Sequence, residues 1–253
     1  MSPSPQRLVD QIEAAPVLPP GQDERFNGYG VMGLPFSSGH VLALRRFPAT
    51  SVGPGYTSVW HRDPQGEWVF YATAAPHLGC SRYFGMNALA SIQTEVRITW
   101  TAPSRFRVLV PAASLEWDVT VGQTLATQLM NAVAGLLPGA AWRNSTFLAA
   151  MGRMAGPFLG VGRVGLHGTV PNGQRFIANP RVLFRVLDSR AVLAGTDLGL
   201  PGPVAPQAQL GDFWIPQHGM FAIGHAYFES FDPARHSART ARTRATMRGT
   251  DLS

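Results

Sequence analysis

The sequence contains no lysine. All 21 basic residues among its 253 are arginine, against 15 acids and 7 histidines. This absence removes two chemistries, Schiff-base catalysis through an amine and the P-loop lysine that grips nucleotide phosphates. Cysteine is nearly absent as well: Cys80 stands alone, so no disulfide forms within the chain. Charged residues make up 14%, well under the usual quarter. The longest uncharged stretch, 119–142, is interrupted by Gln123, Gln128, Asn131, Pro138 and several glycines, which makes a poor membrane span. The start, MSPSPQRLVDQIEAAP, lacks the apolar core of a secretory signal, so the expected location is cytoplasmic. The G-x-S-x-G elbow of serine hydrolases is missing too.

What the chain does have is apolar bulk and turn formers. It is 45% hydrophobic and can bury a core as one large domain or two small ones. With 27 Gly and 21 Pro, tight turns should be frequent and long helices few. Arginine without lysine, together with abundant Ala, Gly and Pro, points to a GC-rich bacterial genome. The formal charge of +6 is unevenly placed: residues 233–253 hold five Arg and one Asp, so +4 sits there and +2 on the rest. The segment 232–253 reads as a disordered, solvated Arg-rich tail. A weak attraction of this tail to anionic lipid or nucleic acid is the alternative. The body shows no basic groove, and specific nucleic-acid binding is not expected.

Residues 1–37 are Pro/Gly-rich after a short helical start and read as an extended arm. From 38 to 122 the period is two: VLALRRF (41–47), a hairpin at 56–74, VRITW (96–100), RFRVLV (105–110) and LEWDVTV (115–121). In the last three, one face is apolar and the other carries Arg, Glu, Asp and Thr, as in an antiparallel sheet covering a core. The period then changes. TLATQLMNAVAGLL puts Leu125, Leu129, Val133 and Leu136 on one helical stripe, stopped by Pro138-Gly139. NSTFLAAMGRMAG resumes it after a cap at Asn144 or Ser145. Strands return over 161–231, with Pro171-Asn172-Gly173 as a hairpin turn.

The hairpin YTSVWHRDPQGEWVFYATA is the richest stretch. Asp63-Pro64-Gln65-Gly66 suits a type I turn with Gly66 left-handed, closing a bulged hairpin. That register sets Arg62 opposite Trp68 and Trp60 opposite Phe70 on one face, with His61 opposite Val69 and Val59 opposite Tyr71 on the other. Arg62 beside Trp68 would be a cation–π pair. Both faces are largely apolar, which fits packing first and a ligand cavity second.

Other candidate constellations weigh less. Glu116 and Asp118 point the same way on a strand but share their face with arginines, which suits solvated cross-strand pairing rather than acid–base work. Gly160 to Gly165 matches G-x-G-x-x-G, but a helix precedes it and a hairpin follows, the reverse of a dinucleotide site. His77, Cys80 and Arg82 cluster in PHLGCSRYFG, where a small buried thiol is the simpler reading than a nucleophile. Asp212, His218, His225 and Glu229 lack the spacing of a zincin or a zinc finger, so no metal site is expected. No cofactor motif stands out.

The stretches SVWHRDPQGEWVFY and LHGTVPNGQRF resemble the lipocalin-like proteins of the hydroxyneurosporene-synthase (carotenoid hydratase) type. The resemblance covers about 38–231 in outline. It implies two consecutive barrel-like β domains, an apolar ligand and, in some members, hydration of an isoprenoid double bond; no catalytic residue transfers. GPGYTS and SRYFG are similar to acetoacetate decarboxylase-like barrels. The missing lysine argues against that family's Schiff-base chemistry, though not against its fold.

The expected architecture is mainly β, with antiparallel barrel-like sheets in two β regions (about 38–122 and 161–231) and a helical hairpin, within an insertion at 124–156, between them. The expected function is binding of an apolar small molecule, with contacts from Trp60, His61, Trp68, Phe70, Tyr71, Arg82 and His225. One alternative is an acid–base enzyme, hydratase- or isomerase-like, with His61 or His225 as base and Arg82 steadying an anion. The other is an interaction module that docks by its helical hairpin. Composition and spacing leave open whether any reaction is catalysed, and the oligomeric state.

Overall fold

The computed structural model describes residues 3–138 and 141–238. In chain order the strands are β1 (Glu24–Val31), β2 (Leu34–Pro35), β3 (Val41–Thr50), β4 (Tyr56–Arg62), β5 (Trp68–Ala72), β6 (Ala90–Gln93), β7 (Arg97–Ala102), β8 (Arg105–Val110), β9 (Leu115–Gly122), β10 (His167–Thr169), β11 (Arg175–Leu193), β12 (Thr196–Asp197), β13 (Gln209–Leu210), β14 (Phe213–Trp214) and β15 (Met220–Phe228). The α-helices are α1 (Pro5–Ala14), α2 (Ser81–Phe84), α3 (Leu125–Leu136) and α4 (Ser145–Leu159). None of the described helices is long and apolar enough to cross a membrane.

The expectation of two antiparallel regions needs two corrections. All strands but β13 and β14 join one sheet, whose main path runs β6-β5-β4-β3-β1-β15-β11-β9-β8-β7. It is mixed rather than antiparallel, because β5 and β6 run parallel. Short helical turns between Pro76 and Asn87 carry the chain across to make that parallel pair. The two halves are united by β1, which lies inside the segment read as an arm. It pairs with β3 on one side and β15 on the other. The disorder expected of 232–253 falls mostly on 239–253, outside the described residues.

Turn chemistry sets the hairpin as its sequence demands. Gly66 N–H donates to the Asp63 carbonyl (3.1 Å) with Gly66 at φ 99°, and the pairs are Arg62–Trp68, His61–Val69, Trp60–Phe70 and Val59–Tyr71. Asp118 and Arg107 form the cross-strand ion pair expected on the wet face of β8 and β9 (2.9 and 3.0 Å). Gly160, the first glycine of the G-x-G-x-x-G match, caps α4 in the left-handed region at φ 64°.

The sheet curls into a half-barrel, and both of its faces are buried. One face gathers Leu42, Leu44, Val59, Phe106, Val108, Trp117, Val119, Phe184, Phe221 and Ile223 into a single cluster. Side chains from both halves of the sheet meet there, so this is the concave side. Helix α1 closes it with Val9, and with Leu8 and Ile12 packed alongside. The other face carries Phe26, Val41, Ala43, Tyr56, Trp60, Trp68, Phe70, Phe176 and Phe228, covered by Tyr83, Phe84, Leu210 and Ile215. Alternation along each strand delivers the two sets.

Helices α3 and α4 sit beyond this second face. Thr124 and Thr127 cap α3 reciprocally, and the Asn144 side chain accepts from Phe147 N–H to start α4. The stripe Leu125, Leu129, Val133, Leu136 does not form the buried side of α3: Leu125 is 86% and Leu136 85% exposed. Asn131 explains the rotation. Its side chain accepts from Leu183 N–H (2.7 Å) and donates to the Leu183 carbonyl (2.9 Å), turning Thr127, Met130, Asn131 and Ala134 inward.

Candidate functional site

Between the second sheet face and the helical pair lies a cavity of about 180 Å³. Its floor comes from the sheet: Phe26, Arg45, Phe47, Tyr56, Trp60, Phe176, Ala222, Gly224, Ala226 and Phe228. Its roof comes from Met130, Val133, Ala134, Trp142, Met151, Ala155 and Leu159. Phe213 and Trp214, on the small β13–β14 ribbon, close one side. Almost every group is aromatic or aliphatic. The concave side of the half-barrel is filled by its own side chains, so the guest space lies on the opposite face.

Small residues make the floor shallow. A Cβ on Gly224 would run into the Asn179 carbonyl, and one on Gly28 into that of Arg46, so the neighbouring backbones crowd these positions. Trp60 is the aromatic centre. Its ring lies 4.8 Å from Phe84, 5.0 Å from Phe70 and 6.1 Å from Phe213, and its indole N–H donates to Ser58 (3.2 Å).

Arg45 is the charged residue in the wall, and it is buried. It donates through one terminal nitrogen to the Val31 (2.6 Å) and Leu44 (2.8 Å) carbonyls, and through the other to that of Met32 (3.0 Å). It also stacks over Trp60 at 4.8 Å and Phe213 at 5.5 Å. Among the described residues no carboxylate forms an ion pair with it. Burial disfavours its charge and pulls its pKa down to about 10, with Cys80 and Tyr56 acting weakly the other way. Those two neighbours share a contact between hydroxyl and sulfur at 3.1 Å, and burial pushes both of their pKa values up. They stay neutral, and the Cys80 thiol is unactivated.

The residues singled out by sequence fall in different places. Trp60 lines the cavity. Trp68 and Phe70 pack around it on the same face without lining the space. His61 and Tyr71 lie on the concave side of the same hairpin. There His61 Nε2 sits 2.8 Å from His40 Nδ1, the rings stacked at 5.0 Å. Burial and the neighbouring His40 pull the His61 pKa down to about 4, against a smaller pull from Asp63. Arg82 is on α2 and is spoken for by Glu24 through two bonds of 2.6 and 3.1 Å. Burial opposes charge on Glu24, but hydrogen bonds from Arg82, Tyr83 and Gln174 outweigh it and hold the carboxyl below its usual range.

His225 borders the cavity through its strand. Its cross-strand partners are Asn27 and Asn179, and alternation sends its side chain to the face opposite Gly224 and Ala226. His61, His225 and Arg82 are therefore not gathered around one point. The sequence reading missed Arg45, although a signal was present: in VLALRRF, period two puts Arg45 on the face of Val41, Ala43 and Phe47. The cation–π contacts among the described residues involve Arg45, Arg82 and Arg163 rather than the expected Arg62 and Trp68.

No family model matches the chain, and no curated protein matches it, the hydroxyneurosporene-synthase type included. Among solved structures it is similar to the crystal structure of acetoacetate decarboxylase from Legionella pneumophila subsp. pneumophila, strain Philadelphia 1. The TM-score is 0.40 and the sequence identity 11%, over 89% of this chain and 95% of that one. Those values do not place the chain in that enzyme's family.

Proposed function

We propose that the protein binds an apolar small molecule in the cavity between sheet and helices. The observation that carries this reading is a space of about 180 Å³ whose walls are Trp60, Phe26, Phe176, Phe213, Met151 and their apolar neighbours. A comparable void of about 150 Å³, lined by aliphatic and aromatic groups, stays dry and holds a benzene. One ring or a short alkyl chain therefore suits the space. The test is thermal melting with a panel of such ligands, read beside Trp fluorescence. Binding should raise the melting temperature, and Ala155→Trp, which fills the roof from a buried position, should abolish that rise while the unliganded protein still folds. An unchanged ligand shift in Ala155→Trp would overturn the reading.

Acid–base catalysis on a hydrophobic substrate is the enzymatic alternative. It would need His61 or His225 to reach the ligand, and His61→Ala or His225→Ala should then lose turnover with the fold intact. A docking module has an observation of its own, the exposed Leu125, Leu129 and Leu136 on α3 with Met154 and Phe158 on α4. In that case the solution mass should rise with concentration, and Leu129→Ser should reverse it.

A further inference from the structure

We infer that the ligand of this cavity carries an anionic head, of the carboxylate class, and that Arg45 receives it. The inference rests on the cavity being a ligand site and adds the chemistry of the ligand's polar end.

The argument starts from the cost of the charge. A guanidinium removed from water without a counter-ion is expensive, and main-chain carbonyls and ring faces offset only part of that cost. The fold has a structural use for Arg45. Pairing between β1 and β3 stops at Tyr29–Arg46, and Arg45 donates to the Val31 and Met32 carbonyls beyond it. That use, with the bond to Leu44, takes three of its five N–H groups. Two N–H groups remain without an acceptor in the described protein, on a residue that is 5% exposed and lines the cavity. The rings of Trp60 and Phe213, themselves part of the wall, lie 4.8 and 5.5 Å from the guanidinium carbon.

A planar donor fixed in this way is suited to a carboxylate, whose oxygens accept charge-assisted bonds. The rest of the wall asks for hydrocarbon. The ligand this describes is amphiphilic and small: a short-chain or aryl carboxylic acid bound as its anion, head at Arg45 and tail beneath α3 and α4. Tyr56 and Cys80, both neutral, supply no competing anion.

The test compares octanoate with 1-octanol on the full-length protein by titration calorimetry at pH 7.5. Octanoate should bind at least tenfold more tightly. Arg45→Met should erase that preference while octanol binding stays within about threefold, and Arg45→Lys should keep part of it. Equal affinity of the wild-type protein for acid and alcohol overturns the inference and leaves the cavity reading standing. Failure of both to bind overturns the cavity reading itself. Should Arg45→Met not fold, Ala155→Trp in the same titration decides. A preference for octanoate that survives the filled roof locates the anion elsewhere and overturns the inference.

Discussion

His61 shows how a residue that looks reactive in sequence becomes a structural liability in acid. It is buried, pressed against His40 and kept neutral, with its pKa drawn down to about 4. In the unfolded chain the same group titrates near 6.5. As the pH falls through that window, the unfolded chain takes up a proton that the folded one refuses. Stability should drop by up to about 1.4 kcal/mol per pH unit from this group. Urea midpoints at pH 7 and pH 5 check it: the wild type should lose more stability over that interval than His61→Gln, and an equal loss would remove the burial argument. Arg45 is the complementary case. Its burial is legible in the alternation of VLALRRF, but the absence of a carboxylate beside it is not, because its surroundings come from β1, β4 and the β13–β14 ribbon.

Among the elements, the 56–72 hairpin was legible because everything that fixes it is local. A four-residue turn with Asp first, Pro second and Gly fourth determines the register, and the register determines which side chains face each other. Strand β1 was not legible. ERFNGYGV carries two glycines, which weaken a strand by composition alone. The structure gives their reason: a Cβ at Gly30 would run into the Leu44 carbonyl, and one at Gly28 into that of Arg46. Gly30→Ala should therefore destabilise the protein by about 2–3 kcal/mol, as overpacking against backbone does. Chemical denaturation measures this, and a change under about 0.5 kcal/mol would mean that the backbone yields easily there. Helix α3 was legible as a helix and misjudged in rotation. Hydrophobic periodicity favours burying Leu125 and Leu136, whereas two hydrogen bonds from Asn131 to Leu183 bury the other side.

At the scale of the molecule, the sheet works because each face has its own cover. The concave face depends on α1, where Val9 is 2% exposed and Glu13 bonds Arg46 (2.7 and 2.8 Å) and Tyr29 (2.9 Å). Removing residues 1–14 should uncover that core and take the carboxylate partner from Arg46 and Tyr29, at about 3–5 kcal/mol. A large fall in the urea midpoint, with new binding of a hydrophobic dye, is the expected result. An unchanged midpoint would show that α1 is an accessory.

By itself the sequence determined the period of most strands, the hairpin and its register, the starts of both longer helices and the stop of α3, and the exclusion of lysine chemistry. These depend on residues within a few positions of one another, where sterics and turn geometry act directly. The tertiary structure alone decided that one sheet joins both halves, that its concave side is filled, and that the cavity lies on the other face with Arg45 in its wall. Those outcomes rest on pairing residues 24–31 with 221–228, nearly two hundred positions apart. No local propensity encodes that closure; only the burial of both sheet faces together does.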